Sequence, residues 1–458
     1  MPLRTPVVPV ILAAGQGTRM RSSRPKVLQP LAEKPLLLHV LETAARLGGT
    51  EPVVVVGHGA GQVRSVLDPA CRSVIQEPQL GTGHALLTAL PQVDNGATIL
   101  VLYGDVPLVR AETLCALLEI MPADGLALLT VTLPNPTGYG RILRDDEGRV
   151  TGIVEERDAD AAQRALREVN TGIMAAPRAR WVDWLSQIGC DNAQGEYYLT
   201  DCVSLAAAEG VPIAVHCCPD IEETRGVNDR IQLADAERVL RARRADDLMR
   251  AGAILRNPDC LEIRGNVTVG TDVQIDTGVV LEGDIVLGKG VRIGPHCTLR
   301  NCSVGDDAEV LAHSVLDGAK VGAGCRIGPF ARLRPGTDLS AGVHVGNYVE
   351  IKNTRVGTDS KINHLSYIGD AQIGNGVNIG AGTITCNYDG VYKHKTQIAD
   401  GAFIGSNTAL VAPVRIGEHA TVGAGSVITR DAPDHKLTLA RARQTTVDGW
   451  QPPTKLKE

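Results

Sequence analysis

The chain has 458 residues, of which 43% are hydrophobic and 21% are charged, so it is long enough for two or three domains with their own cores. Its net charge of -6 gives no overall positive electrostatic potential that would bind nucleic acid. No apolar run is long enough to span a membrane. We therefore expect small anions, not nucleic acid or a membrane, as partners. Pro9 interrupts the apolar N-terminal run, which indicates a buried first strand instead of a signal peptide and predicts a cytoplasmic protein. The eleven cysteines are never spaced as CxxC, which predicts reduced, mostly buried thiols.

The first half of the chain alternates two kinds of segment up to about residue 227. Short β-branched runs, such as residues 53–56 and 98–102, are typical of buried strands, whereas residues 111–121 have helical spacing. This alternation predicts an α/β domain over residues 1–227, Rossmann-like, with a mostly parallel sheet. In residues 228–252 apolar side chains recur at helical spacing among charged ones, which predicts a linker helix.

A different period begins after the linker. Aliphatic residues occupy every sixth position, with a few shifts, through residues 263–299, 304–316, 321–351, 356–368 and 398–428. This period fits a triangular coil in which each side is one short strand and the aliphatic side chain points inward. Residues 253–458 are therefore predicted to be an all-β domain, since a β-sandwich would show a period of two.

A glycine-rich loop follows the first predicted strand. Its sequence, LAAGQGTRMRSSRPK, contains two glycines and four cations: Gly15, Gly17, Arg19, Arg21, Arg24 and Lys26. It is not a Walker A motif, because GK[ST] is missing, nor a dinucleotide fingerprint, because Met20 replaces the last glycine. Backbone N–H groups and cations in this pattern indicate a phosphate-binding loop. Lys26 and Arg19 are the candidates for neutralising phosphate charge, although a lone cation is by default a surface residue.

Asp105 ends the hydrophobic run TILVLYGD, at the edge of the sheet where α/β proteins place catalytic groups. A carboxylate is a hard ligand that can hold Mg²⁺ against nucleotide phosphates. On this residue alone the alternative, a helix N-cap or turn residue, stays open.

Longer motifs resemble the sugar-nucleotidyltransferase family. Besides LAAGxGTRM and the following PK, they are Gln76, LGTGHA, YGDVPL, TGYGR, GIVEE, VNTGI and GVNDR. Over nearly its whole length the chain is most similar to the bifunctional N-acetylglucosamine-1-phosphate uridyltransferases and glucosamine-1-phosphate acetyltransferases. The resemblance implies acetyl transfer from acetyl-CoA to glucosamine-1-phosphate, then Mg²⁺-dependent uridyl transfer from UTP to N-acetylglucosamine-1-phosphate with release of pyrophosphate. It also implies a left-handed parallel β-helix, a homotrimer, and supply of UDP-N-acetylglucosamine to peptidoglycan and lipopolysaccharide.

The resemblance also implies a uridyltransferase site. Asn228 joins Asp105 as a metal ligand, and Gly140, Glu155 and Asn170 hold the amino sugar. The nucleotide is bound by the remaining members of the set: Leu12, Ala13, Ala14, Gly15, Lys26, Gln76, Gly81, Thr82, Tyr103 and Gly104.

In the coil, KINHLSYIGD contains His364, an imidazole suited to accept a proton near neutral pH, although a lone histidine is more often structural. The family's matching histidine is the general base. The resemblance implies that Arg334 and Lys352 neutralise the sugar phosphate, and that Tyr367 and Asn378 contact the sugar. It assigns acetyl-CoA to Ala381, Asn387, Tyr388, Ser406, Ala424 and Arg441. Arg443 is an alternative to Arg441, and Glu350 is the candidate for orienting His364.

Two other functions compete with this interpretation. A hexose-1-phosphate nucleotidyltransferase could carry a coil used only for assembly, but it would not need His364 or the polar loop within residues 384–397. A catalytically inactive scaffold would tolerate loss of Lys26, Asp105 or Asn228, and all three are present.

Overall fold

The computed structural model describes residues 5–453 and divides into two compact units between Leu240 and Arg241. This boundary lies inside the helix Arg230–Arg250. Leu233, Val239 and Leu240 of the helix pack on a hydrophobic cluster of the first unit, and Leu248 joins the core of the second. In the described part of the chain, no helix has both the length and the apolar character needed to cross a membrane.

The first unit is built on a mixed sheet. Seven of its strands lie in the spatial order Ile213–Cys217, Leu126–Thr132, Glu168–Pro177, Thr98–Tyr103, Val7–Ala13, Val53–Val56 and Arg72–Ile75, and the hairpin Arg141–Arg144 with Val150–Val154 extends it. The helices are Leu36–Ala45, Ala60–Arg64, Thr82–Ala89, Ala111–Ile120, Ala161–Arg164, Arg178–Leu185 and Asp201–Ala208.

One strand departs from the predicted parallel arrangement. Glu168–Pro177 pairs antiparallel with both Leu126–Thr132 and Thr98–Tyr103, whereas the other neighbours in the central order pair in parallel. The chain reaches Glu168 through residues 133–167, which form the hairpin and one helical turn, and Glu168–Pro177 also pairs antiparallel with the hairpin strand Arg141–Arg144. The expectation of a mostly parallel sheet therefore becomes a mixed sheet.

The second unit is a coil of short parallel strands in two sheets. One sheet contains Ile254–Leu255, Gln274–Ile275, Arg292–Ile293, Glu309–Val310, Arg326–Ile327, His344–Asn347, Lys361–His364, Asn378–Ile379, Phe403–Ile404, Thr421–Val422 and Leu437–Thr438. The other contains Glu262–Val269, Val280–Leu287, Thr298–Arg300, Ser303–Val304, Val315–Asp317, Lys320–Val321, Arg332–Leu333, Asp338–Leu339, Glu350–Lys352, Arg355–Val356, Tyr367–Gly369, Ala371–Ile373, Ile384–Cys386, Thr396–Ile398, Ala409–Val411, Val414–Ile416 and Val427–Ile428.

The sixfold aliphatic residues form the core of this coil. All of those predicted from the repeat are buried except Val269, which is half-buried in an early turn. Ile373 and Ile379 belong to the same core although the sequence interpretation did not include them. Burying each such side chain contributes about 1.5–3 kcal/mol, so the repeat itself holds the turns together.

The cysteines are unpaired thiols. All eleven lie within the described residues, and none forms a disulfide. Five are buried, four are exposed and two are intermediate, so the expectation that most are buried is wrong.

Candidate active sites

A cavity of about 240 Å³ opens at the carboxyl ends of the first unit's parallel strands. Ten residues predicted from the motifs line it: Leu12, Ala13, Ala14, Gly15, Lys26, Gln76, Gly81, Thr82, Tyr103 and Asp105. Gly104 is not among the lining residues, but its N–H donates to the carbonyl of the lining residue Leu12 at 3.0 Å. The loops that follow neighbouring strands thus bring residues distant in sequence into one site.

Lys26 joins the two predicted metal ligands. Its ammonium contacts Asp105 Oδ2 and lies 2.9 Å from Asn228 Oδ1. The side chains of Lys26 and Asp105 are only 14% and 16% exposed, so the charges interact with limited screening. The Val227 N–H donates to the Asp105 carbonyl at 2.8 Å, which holds the segment before the long helix beside Asp105.

The phosphate-binding loop requires a glycine at position 17. Its φ is +62°, and a Cβ at this position would lie 2.4 Å from Cβ of Lys26. Any side chain would therefore strain the backbone and displace Lys26.

Gly140, Glu155 and Asn170 form a second group beside the cavity. The Asn170 N–H donates to the Gly140 carbonyl at 2.9 Å, and a Cβ on Gly140 would lie 3.3 Å from both carboxylate oxygens of Glu155. Thr200 donates to Glu155 Oε1 at 3.0 Å. Burial is the main cause that raises the pKa of Glu155, despite the Thr200 hydrogen bond.

Tyr103 connects this group with the cavity. Burial raises the pKa of its hydroxyl, and the nearby carboxylates of Glu155 and Asp105 raise it further. The Tyr103 hydroxyl therefore stays protonated and uncharged at physiological pH.

Four lining residues were not predicted as site residues: Val27, Gln79, Glu196 and Ala85, the last of which ends the LGTGHA motif. Gln79 stands just before the LGTGHA motif, so a wider motif boundary would have found it. Glu196 comes from a distant segment that pairs with the Leu80 backbone through Tyr197, and nothing local marks it. Arg19 is exposed in the short helix Thr18–Met20 and is not among the lining residues, so its catalytic role stays a prediction.

The coil stacks five residues into a row, here called the corner row. Each lies two positions after an inward aliphatic residue, and the strand register places those aliphatic residues one above another. Its members are Asn347, His364, Ala381, Ser406 and Ala424. Neighbouring strands are about 4.8 Å apart, so consecutive members of the row are neighbours in space. Beyond Asn347 and His364, the row continues with three small side chains.

Asn347, not Glu350, contacts His364. His364 Nδ1 lies 2.9 Å from Asn347 Oδ1. With the amide oxygen as acceptor, Nδ1 carries the proton and Nε2 keeps its lone pair, as a general base requires. Glu350 instead accepts from Arg334 Nη1 at 2.8 Å, and Asn347 is the side chain in contact with His364, so the structure does not support the orienting role predicted for Glu350.

Three cations, Arg334, Lys352 and Lys393, lie close enough to interact electrostatically. The Lys393 ammonium is the main cause that lowers the pKa of Lys352, with Arg334 contributing. Asp370 and the Glu350 carboxylate, which is paired with Arg334, offset part of this positive charge, and the remaining charge is suited to bind a phosphate group. Lys393 was missed by the sequence interpretation, because a single lysine in a polar loop carries no distinguishing pattern.

The polar loop is folded into a small hairpin. Tyr388 pairs with Lys393, and the His394 N–H donates to the Asn387 carbonyl at 2.8 Å. Asp389 accepts from the His394 ring at 2.6 Å and from two backbone N–H groups, which lowers the pKa of Asp389 to about 2. The hairpin therefore holds Lys393 in place, and the Asn387 side chain donates to the buried Asp370.

The C-terminal arginines differ in their contacts. Arg441 Nη1 donates to the Ala424 carbonyl at 2.7 Å, so Arg441 reaches the end of the corner row. Arg443 is exposed. The geometry therefore favours Arg441 over Arg443 as the predicted acetyl-CoA ligand.

Asn378, which is predicted to contact the sugar, lies in the same sheet as His364 and pairs with Lys361 of the neighbouring strand.

Known proteins match both units. Family models match residues 9–187 (MobA-like NTP transferase domain), 263–353 (GMPPB C-terminal domain) and 395–430 (bacterial transferase hexapeptide, six repeats). A relative from Alkalilimnicola ehrlichii is 58% identical over 97% of this chain and 96% of its own length. Relatives from Methylococcus capsulatus and Marinobacter nauticus are 55% and 52% identical over 99% and 98% of this chain, and over 98% and 100% of their own lengths. Each is named bifunctional protein GlmU.

The chain belongs to the GlmU family of bifunctional proteins. The family, the two-part fold with its left-handed parallel β-helix, and the bifunctional uridyltransferase and acetyltransferase assignment are therefore confirmed. The GMPPB match ends at residue 353, before His364 and the polar loop, so it does not favour the hexose-1-phosphate alternative over GlmU membership.

The contact between Asn347 and His364 predicts that Asn347 orients the imidazole for acetyl transfer. We expect Asn347→Ala to lower kcat for acetyl transfer roughly 10-fold to 100-fold, because it frees the imidazole to rotate and change tautomer. KM for glucosamine-1-phosphate should change little. Steady-state kinetics of CoA release would check this, with uridyl transfer as the internal control. A raised KM with unchanged kcat would contradict the orienting role.

Proposed function

We propose that the cavity and its neighbouring group are the uridyltransferase site. Leu12, Ala13, Ala14, Gly15, Gln76, Gly81 and Thr82 hold the uridine nucleotide, while Gly140, Glu155 and Asn170 hold N-acetylglucosamine-1-phosphate. The contiguity of the two groups through Tyr103 supports this assignment. The sugar phosphate oxygen attacks the α-phosphorus of UTP and pyrophosphate leaves, with Lys26 and Arg19 neutralising phosphate charge.

Asp105 and Asn228 fit the magnesium ion that this reaction requires. Both present hard oxygen atoms, and both already contact the single positive charge of Lys26, which occupies the position of a cation. When bound there, Mg²⁺ would neutralise charge on the nucleotide phosphates. The two oxygens and the Lys26 ammonium support the proposed ligand pair.

The corner row and the cation cluster are proposed as the acetyltransferase site. Arg334 and Lys352 bind the sugar phosphate with Lys393, while Tyr367 and Asn378 contact the sugar. Acetyl-CoA lies along the row, with ligands Ala381, Asn387, Tyr388, Ser406, Ala424 and Arg441. The amine attacks the thioester carbonyl, the C–S bond breaks, and His364 Nε2 accepts the amine proton and returns it to the CoA thiolate.

The observation that carries the acetyltransferase proposal is the His364–Asn347 contact at the head of a row of small residues, within the same coil as three converging cations. The test supplies glucosamine-1-phosphate, acetyl-CoA and UTP together and identifies the products by mass. UDP-N-acetylglucosamine is expected. A UDP-sugar without the acetyl group would contradict the proposal.

A homotrimer is proposed for the assembled protein. His296, His313, Phe330 and Tyr348 stack with centroid separations of 4.9–5.4 Å, and Leu365 follows at the next turn. Phe330, Tyr348 and Leu365 are 45%, 57% and 64% exposed and have positive φ, an unfavourable conformation for bulky residues. Threefold packing of like coils would cover this apolar ladder.

Light scattering at micromolar concentration tests the trimer. We expect three times the 48.4 kDa mass of one chain, because the exposed side chains of Phe330, Tyr348 and Leu365 form a surface that packing between chains would cover. A single-chain mass would contradict the proposal.

Three segments of a cytoplasmic enzyme are proposed: residues 1–227 as the uridyltransferase, residues 228–252 as the linker and residues 253–458 as the acetyltransferase. Removal of residues 1–227 should leave a trimeric acetyltransferase.

A further inference from the structure

We infer that Lys26 is a built-in counter-cation of the metal site, and that its ammonium must leave Asp105 and Asn228 before a divalent cation can bind there. The inference rests on the proposed magnesium ligands and adds a competition between this chain's own lysine and the metal. It makes Lys26 a positioning residue in the metal-free enzyme as well as a phosphate ligand.

The competition follows from the contacts of one nitrogen. Lys26 Nζ contacts Asp105 Oδ2 and lies 2.9 Å from Asn228 Oδ1, so one positive charge satisfies both oxygens. Mg²⁺ requires oxygen ligands at about 2.0–2.1 Å. An ammonium and a dication bound to the same two oxygens would repel each other strongly at such short range. The two cations therefore exclude one another.

The backbone around Lys26 is held while the side-chain tip can move. The Gln29 N–H donates to the Lys26 carbonyl at 3.0 Å, and Gly17 packs closely against Lys26 Cβ. Only the flexible stem beyond Cβ needs to rotate for the ammonium to leave the two oxygens. Lys26 lines the cavity in which the phosphates are proposed to bind, so the released ammonium has an anionic destination.

This exchange couples the metal and the nucleotide. Without nucleotide, the metal must displace Lys26 and its binding is weakened. With a triphosphate in the cavity, Lys26 has an alternative anion, and the metal site is released. Metal and UTP are therefore expected to bind cooperatively, each raising the affinity for the other.

The test is Mn²⁺ binding to metal-stripped full-length protein without nucleotide, measured by electron paramagnetic resonance of the free ion. We expect Lys26→Met to bind Mn²⁺ roughly five- to tenfold more tightly than wild type, because the ion pair and hydrogen bond that compete with the metal are lost. Lys26→Gln provides a second uncharged variant, and a thermal unfolding profile by circular dichroism that matches wild type verifies that each variant is folded, because acetyl transfer reports only on the other unit. Lys26→Arg, which keeps the charge, should not show the full gain.

Two further variants separate the possible failures. Arg24→Met removes a cation from the same loop at an exposed position, and equal tightening there would show a general charge effect and overturn the inference. Asp105→Asn should weaken Mn²⁺ binding. If Asp105→Asn weakens binding but neither Lys26 variant tightens it, the competition is wrong and the metal site stands. If Asp105→Asn binds Mn²⁺ like wild type, the proposed metal site itself is wrong.

Discussion

Replacing His364 with alanine is expected to lower acetyl transfer roughly 10²–10⁴-fold, because loss of a general base typically has an effect of this size. His364 is exposed and belongs to no part of the buried aliphatic core, so the coil should remain folded. Uridyl transfer to supplied N-acetylglucosamine-1-phosphate should stay near wild type. CoA thiol release at saturating substrates measures the loss.

His344→Ala is the matched control for this variant. His344 lies on the neighbouring strand, paired with Lys361, and is outside the corner row. Its replacement should leave acetyl transfer within a few-fold of wild type. Equal losses in the two variants, or a loss of both activities in His364→Ala, would indicate a structural histidine.

Asp105→Asn is expected to lower uridyl transfer about 100-fold or more, because metal stabilisation of developing charge is worth several kcal/mol and each 1.4 kcal/mol is tenfold in rate. The amide keeps the size of the side chain and an oxygen near Lys26 but removes the anionic ligand. Acetyl transfer should continue, because its proposed residues lie in the other unit. Pyrophosphate release measures the effect.

Asp94→Asn removes a carboxylate from the same unit at an exposed position that does not line the cavity. It should leave pyrophosphate release unchanged. An Asp105→Asn rate equal to that of this control would show that Asp105 is not a metal ligand.

The coil was predictable because its sequence repeats the constraint that forms it. Residues such as Ile327, Val345 and Ile362 are inward-facing and stacked, so the sixfold pattern predicts both their burial and their register. The direction of Glu168–Pro177 was not predictable in the same way. Its hydrophobic run is compatible with either direction, and the connection over residues 133–167 is long enough for either a parallel or an antiparallel neighbour.

The candidate sites were partly predictable for a similar reason. Motifs identify residues that lie close together in sequence, such as Gly15 and Lys26, and the structure brings them together in one cavity. Glu196, Asn347 and Lys393 reach their sites through long-range folding, which no local motif reports. The Asn347 contact became visible only once the register paired it with His364.

One chain with two separate sites for successive reactions should behave as two complementable enzymes when each site is disabled in turn. Asp105→Asn and His364→Ala proteins are each supplied with glucosamine-1-phosphate, acetyl-CoA and UTP, alone and as an equimolar mixture, and UDP-N-acetylglucosamine is quantified by mass. Each variant alone should form little product, whereas the mixture should restore its formation, because the acetylated intermediate made by one protein is consumed by the other. Abundant product from either variant alone, or none from the mixture, would contradict the account.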